Sequence, residues 1–140
     1  YSTIILDCVR DIPLHNFIVI MGDFNARIGS SDSHLKVVGK HAYHQETNNN
    51  GARLIHLCEA NNMCIATTRK PHPNRHKWSW QHPNGNKAQI AHILLKGKWI
   101  NSLRNCRCYK TVELDSDHRI FTASIKFSFR TTKKISNIPI

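Results

Sequence analysis

The sequence predicts a mixed α/β (α+β) fold, on three observations. Short apolar runs have the character of buried strands, two stretches carry apolar residues at helical spacing, and a late segment alternates apolar with polar residues. Residues 1–12 form the first predicted helix: Ile4, Ile5, Cys8, Val9 and Ile12 share one face, and Pro13 ends it. Residues 17–21 are continuously apolar, rich in β-branched side chains and closed by Gly22, which predicts a strand buried on both faces that opens into a turn. Residues 25–50 are polar and loop-like. A second helix is expected from Asn50 as N-cap, with Leu54, Leu57 and Cys58 as its apolar stripe. Residues 63–66 read as another buried strand.

The loop at 69–77 is basic, with Arg69, Lys70, Arg75 and Lys77 interleaved with His72 and His76. Residues 78–82 and 89–95 read as the two arms of a hairpin around the turn Pro83-Asn84-Gly85-Asn86. A further strand is expected at 109–114. Phe121, Ala123, Ile125, Phe127 and Phe129 then alternate with Thr122, Ser124, Lys126, Ser128 and Arg130, the clearest period-two pattern in the chain. These elements make one unit over 1–130 and a polar tail over 131–140. A sheet assembled from this chain alone would want another layer on its open face.

Composition narrows the function. The 140 residues carry 20 Lys and Arg against 9 Asp and Glu, a formal charge of +11 with His neutral. Such a balance favours polyanionic partners, nucleic acid first, against the alternative of a merely solvated basic surface. No run approaches a membrane span. The five cysteines, Cys8, Cys58, Cys64, Cys106 and Cys108, are odd in number and irregularly spaced, which argues against a disulfide framework and for a reducing, intracellular compartment. Cys106-x-Cys108 is too short for the usual zinc knuckle, and His41 and His44 in their loop do not suggest a dedicated metal site.

Two motifs carry candidate chemistry. Gly22-Asp23-Phe24-Asn25-Ala26 follows the first strand directly, so a carboxylate and a carboxamide two residues apart point the same way. Asp23 can bind a divalent cation or orient a water, and Asn25 can hydrogen-bond a phosphate oxygen. An Asx turn closing the strand is the bland alternative. Ser116-Asp117-His118 precedes the alternating strand; the histidine can act as general acid or base and the carboxylate beside it can fix it or bind metal. The Arg69 to Lys77 loop, next to Trp78 and Trp80, can grip a nucleic-acid backbone or be a solvated loop, with Trp78 itself read as a core residue.

Taken in order, strand and GDFNA, Asn50-Gly51 opening a helix, Ser79-Trp80, a Gln-Ile-x-x-Ile-Leu strand and SDH, the chain resembles the endonuclease/exonuclease/phosphatase superfamily. Within it the resemblance is to the apurinic-endonuclease-like domains of non-LTR retrotransposons and their host relatives of the craniofacial development protein 2 type, and it covers the C-terminal half of such a domain. The resemblance implies half of a four-layer α/β/β/α sandwich of the DNase I-like fold. It also implies phosphodiester hydrolysis on DNA with Mg²⁺, or Mn²⁺ in its place. Asp23 would orient or deprotonate the attacking water, Asn25 would contact the scissile phosphate, His118 would stabilise the phosphorane, and Asp117 would lie near the metal. Asn50, Trp80, Arg69 and Lys77 are the expected substrate-binding residues.

Two departures qualify that expectation. Ala91 stands where the family has an aspartate that orients the histidine, and His92 stands where a tyrosine is usual; loss of an orienting carboxylate costs orders of magnitude in rate. The chain also begins at Tyr1 and has no residues matching the family's N-terminal half, so it is expected to be a truncated, impaired endonuclease domain. The missing half, or another chain, is expected to cover the open sheet face, and a DNA substrate implies the nucleus. The alternatives are a catalytically inactive nucleic-acid-binding or interaction remnant, and a phosphatase acting on small phosphoesters.

Overall fold

The structure, a computed structural model, describes residues 17–109 and 119–126. The first predicted helix, residues 110–114 of the predicted late strand, the polar tail, and Asp117 and His118 lie outside the described residues. The fold is α+β, as the sequence predicts. Its strands are β1 (Val19–Asp23), β2 (Met63–Ile65), β3 (Trp80–Gln81), β4 (Lys87–Ala88), β5 (Ala91–Lys96), β6 (Leu103–Tyr109) and β7 (Ile120–Ile125), and its helix is α1 (Asn49–Ala60). Among the described residues no helix is long and apolar enough to cross a membrane.

Strand β5 is the centre. It pairs antiparallel with β1 on one side, Val19 opposite Leu95 through Asp23 opposite Ala91, and with β2 on the other, Met63 opposite Lys96. Its side chains alternate between two apolar clusters. Leu94 packs with Leu54, Leu57 and Cys58 of α1 and with Ile28, Val38 and Ile65. Ile93 and Leu95 point the other way, into a cluster with Leu103, Cys106, Ala123 and Ile125 from the antiparallel β6–β7 pair. The three-stranded sheet therefore lies between a helix-and-loop layer and a second small sheet of the same chain.

Several predicted elements take a different form here. The strand at 17–21 sends Ile18 and Ile20 into one cluster and Phe17 and Val19 into the other. Beyond that it is an edge strand and Met21 is 59% exposed. The hairpin is shorter than predicted, because the returning arm splits: Lys87 and Ala88 pair with β3, whereas Ala91 onward joins the central sheet. The split is made by Ser79, a buried residue whose Oγ accepts hydrogen bonds from both Ile90 N–H and Ala91 N–H at 3.0 Å and so turns the chain between the two sheets. Of the strand expected at 109–114 only Tyr109 is described, as the last residue of β6, whose span from Leu103 the sequence did not signal. A register shift between Leu103 and Asn105 breaks its alternation, so that Leu103, Cys106 and Cys108 are buried with uneven spacing and the periodic signal is lost.

The helix starts before its predicted cap. Asn48, not Asn50, is the N-cap: its side-chain oxygen accepts from Gly51 N–H at 2.8 Å and from Arg27 N–H at 3.0 Å. Three consecutive asparagines have equal chemistry, and Gly51 decides among them. A Cβ at Gly51 would sit 2.1 Å from the Arg27 carbonyl oxygen, so only glycine lets this turn of the helix lie against the segment after β1. At the other end the buried Lys96 donates from Nζ to the Asn61 carbonyl at 2.9 Å, placing a cation where the helix leaves its carbonyls unpaired. Asn48→Ala is expected to lower stability by about 1–2 kcal/mol, and Gly51→Ala by more, both read from urea denaturation midpoints at unchanged slope.

Candidate functional site

Polar residues meet where β1 ends. From Gly22 to Ile28 the chain alternates: Asp23, Asn25 and Arg27 are exposed, and Phe24, Ala26 and Ile28 are buried in the core. The three polar side chains line an open cleft of about 470 Å³ together with Trp80 and Ile90. Asp23 Oδ1 accepts Asn25 N–H at 2.9 Å, the Asx-type contact anticipated from sequence. Asn25 has φ of +50°, a left-handed backbone that asparagine tolerates better than most residues. Its carbonyl accepts from Asn50 Nδ2 at 3.0 Å, while Phe24 N–H donates to the Ile90 carbonyl at 3.1 Å. Asn50 thus supports the cleft loop from beneath instead of lining the cleft.

Behind this loop lies His92. It is 1% exposed, and both ring nitrogens are occupied. Nε2–H donates to the Ala26 carbonyl at 2.7 Å, and Nδ1 accepts from the Thr67 hydroxyl at 2.7 Å. Burial pushes its pKa down to about 4, so the ring is neutral throughout the physiological range. His44 flanks the same region: its Nε2 accepts Gln89 N–H at 3.1 Å, and burial, then the charge of Arg27, holds its pKa below the ordinary imidazole value. Opposite Asp23 across the β1–β5 pair stands Ala91, so no carboxylate occupies that neighbouring position.

The other expected site residues are distributed differently. Arg69 lies away from the cleft, where Nη2 donates to the Lys36 carbonyl and lies 3.5 Å from Cys64 Sγ. Lys77 is half-buried, its pKa lowered by desolvation, and its carbonyl accepts from Gln89 Nε2 at 3.0 Å. Trp78 is not the core residue it was read to be. It is half-buried, with the Arg119 guanidinium 4.0 Å and the Lys87 ammonium 5.0 Å from its ring, so cations cover faces that a core tryptophan would give to apolar neighbours. Asp117 and His118 lie outside the described residues. Arg119, which follows His118, donates its N–H to the Ser79 carbonyl at 2.8 Å, one residue from Trp80.

Sequence reasoning did not single out Arg27 or Arg119, and it took Ser79 only as a motif position beside Trp80, without a role. Arg27 was findable, since it continues the two-residue spacing of Asp23 and Asn25. The role of Ser79 was not, since it depends on a backbone bend elsewhere in the chain. For a divalent cation the described donors are insufficient: one carboxylate and one carboxamide face the cleft, and among the described residues no group of three or more His, Cys, Asp or Glu comes together.

Fold and cleft together define an α+β domain with a carboxylate, a carboxamide, a guanidinium and an indole around one strand end. No family model matches the chain. It is similar to craniofacial development protein 2 of Tragulus javanicus, 28% identical over 123 residues that make up 87% of this chain and 21% of the relative. It is likewise similar to craniofacial development protein 2 of Bos taurus, 27% identical over 123 residues, 87% of this chain and 20% of the relative. The chain spans about a fifth of the length of these curated relatives. The relationship to proteins of the craniofacial development protein 2 type read from the motifs is thus borne out.

Because the folded pKa of His92 lies near 4 and its ordinary value is 6.5, acid favours the unfolded chain, which takes up the proton first. Stability from this residue is complete above pH 6.5 and is lost as pH falls towards 4, by about 3 kcal/mol in all. His92→Gln, which keeps a donor and an acceptor without titrating, is expected to flatten that part of the stability profile. Equal pH slopes in wild type and variant would contradict the assignment.

Proposed function

We propose that the chain is the C-terminal part of a phosphodiesterase domain of the endonuclease/exonuclease/phosphatase type that acts on DNA, with impaired hydrolysis. The observation that carries the reading is the convergence of Asp23, Asn25, Arg27 and Trp80 on one open cleft. The motif order along the chain and the net charge of +11 support it. In this reading the Arg27 guanidinium and the Asn25 carboxamide donate to phosphate oxygens, where charge builds during displacement. Asp23, tethered through its contact with Asn25 N–H, takes the proton of the attacking water or holds that water in line. Trp80 presents an indole edge or face to the sugar and base beside the phosphate. Magnesium, or manganese in its place, would neutralise phosphate charge when bound; Asp117 is then required with Asp23, because the described donors alone do not make its site.

Ala91 favours a second reading, a nucleic-acid-binding remnant without catalysis. Its methyl group lies directly across the strand pair from Asp23, at the position where the family carries a histidine-orienting aspartate. The test is Mg²⁺-dependent nicking of supercoiled and abasic-site DNA. Slow nicking is expected from the wild-type chain, abolished by Asp23→Ala and raised roughly tenfold by Ala91→Asp as the orienting carboxylate returns. A folded chain that binds DNA, does not nick it, and gains nothing from Ala91→Asp would replace the hydrolytic reading with the binding one.

A further inference from the structure

Between Glu59 and Glu113 the sequence has no aspartate or glutamate, while it has ten lysines and arginines. The fold gathers part of this charge on residues that do not line the Asp23 cleft, where the 72–76 loop meets β6 and Arg119, the residue before β7. Arg119 is held at both its backbone and its guanidinium. Its guanidinium lies 4.0 Å from the Trp78 ring, Nη1 donates to the Arg75 carbonyl at 2.6 Å, and its backbone N–H is held by Ser79. Its Nε is shielded from solvent and has no hydrogen-bond acceptor among the described residues. His72 donates from Nε2 to Asn105 Oδ1 on β6, and its ring lies 6.3 Å from that of His76. Arg107 stands on β6 opposite Thr122 of β7.

We propose that Arg119, Arg107, Arg75, His72 and His76 form a second, proton-coupled site for the backbone phosphates of nucleic acid, made of residues other than those that line the cleft. Preorganisation contributes here as well as charge. A guanidinium already stacked on an indole and tied to a carbonyl loses little freedom when an anion arrives, and its fork suits phosphate oxygens. The charges that face His76 from its own loop and from both strands, Arg107, Arg75, His72 and Arg119, are all positive, and after burial they hold its pKa below the ordinary value. Arg107 and Arg119 also act together on Cys108, whose thiol burial raises and whose thiolate they favour. A phosphate placed among these groups reverses the repulsion, so binding draws a proton onto the imidazole and affinity grows as pH falls. An extended, acid-poor surface of this kind fits a polyanion better than a single small ester.

The site does not depend on the cleft being a phosphodiesterase centre, and one binding experiment separates the two. Anisotropy of a short fluorescent DNA duplex is measured with the full chain at pH 6 and pH 8 over a series of salt concentrations. Wild type is expected to bind at least about threefold tighter at pH 6, and the double variant His72→Gln, His76→Gln is expected to lose that difference. Arg119→Gln should weaken binding about tenfold and lower the salt slope by about one. Arg107→Gln, at a half-buried position of β6, supplies the same readout should Arg119→Gln not fold by circular dichroism. Asp23→Ala should keep the pH response even if every nicking assay fails. Folded arginine and histidine variants that bind as wild type at both pH values would overturn the proposal, as would a wild-type chain that does not bind the duplex.

Discussion

The two hydrogen bonds of His92 join three parts of the chain that lie far apart in sequence: the central strand β5, the turn after β2 through the Thr67 hydroxyl, and the loop after β1 through the Ala26 carbonyl. A buried imidazole with both nitrogens satisfied stabilises modestly, but one left without either partner costs the desolvation of a polar group in the core. The position of the cleft loop is therefore set from behind. Phe24 and Ala26 are drawn into the core, and Asp23, Asn25 and Arg27 are turned outward as a consequence. Asn48 and Asn50 complete the frame from the helix side, one bonded to the backbone N–H of Arg27 and the other to the carbonyl of Asn25.

The central strand explains why so small a set of elements makes a core at all. Leu94 faces the helix layer and Ile93 and Leu95 face the β6–β7 pair, so apolar surface is removed from water on both sides of one strand. Part of the sheet that the sequence reading left open is thus covered by the chain itself, while the far end of β1, with Met21, is not. Ser79 is the counterpart on the polar side. Its hydroxyl accepts the two N–H groups released where the chain leaves the small hairpin for the central sheet, and its carbonyl takes the N–H of Arg119. A single buried serine so connects the cleft indole, the sheet junction and the start of β7.

Elements with strong local periodicity were legible. The stripe of Leu54, Leu57 and Cys58 and the run at 63–66 bury the side chains their spacing indicates, and Ala123 and Ile125 pack, half-buried, against the second cluster. Of the candidate site, Asp23, Asn25 and Trp80 do share a cleft, because two-residue spacing at a strand end survives into three dimensions. Elements shaped by partners were not legible. The β6 strand hides behind a register shift and outward arginines, and the helix cap depends on a carbonyl that only glycine can approach. Trp78 looked like core from its surroundings in the sequence, yet Lys87 of the hairpin and Arg119 just before β7 lie over its ring.

By itself, the sequence determined the α+β class, the polar residues presented at the end of the first strand, and a strongly basic stretch free of acids between Glu59 and Glu113. These follow from periodicity and composition, which are local properties of the chain. Only the tertiary structure decided which cations cluster and which stand alone, that His92 is a buried neutral support, and that Asn50, Arg69 and Lys77 lie outside the cleft. Those outcomes turn on contacts between segments tens of residues apart, where burial and hydrogen-bond satisfaction, not local preference, select the arrangement.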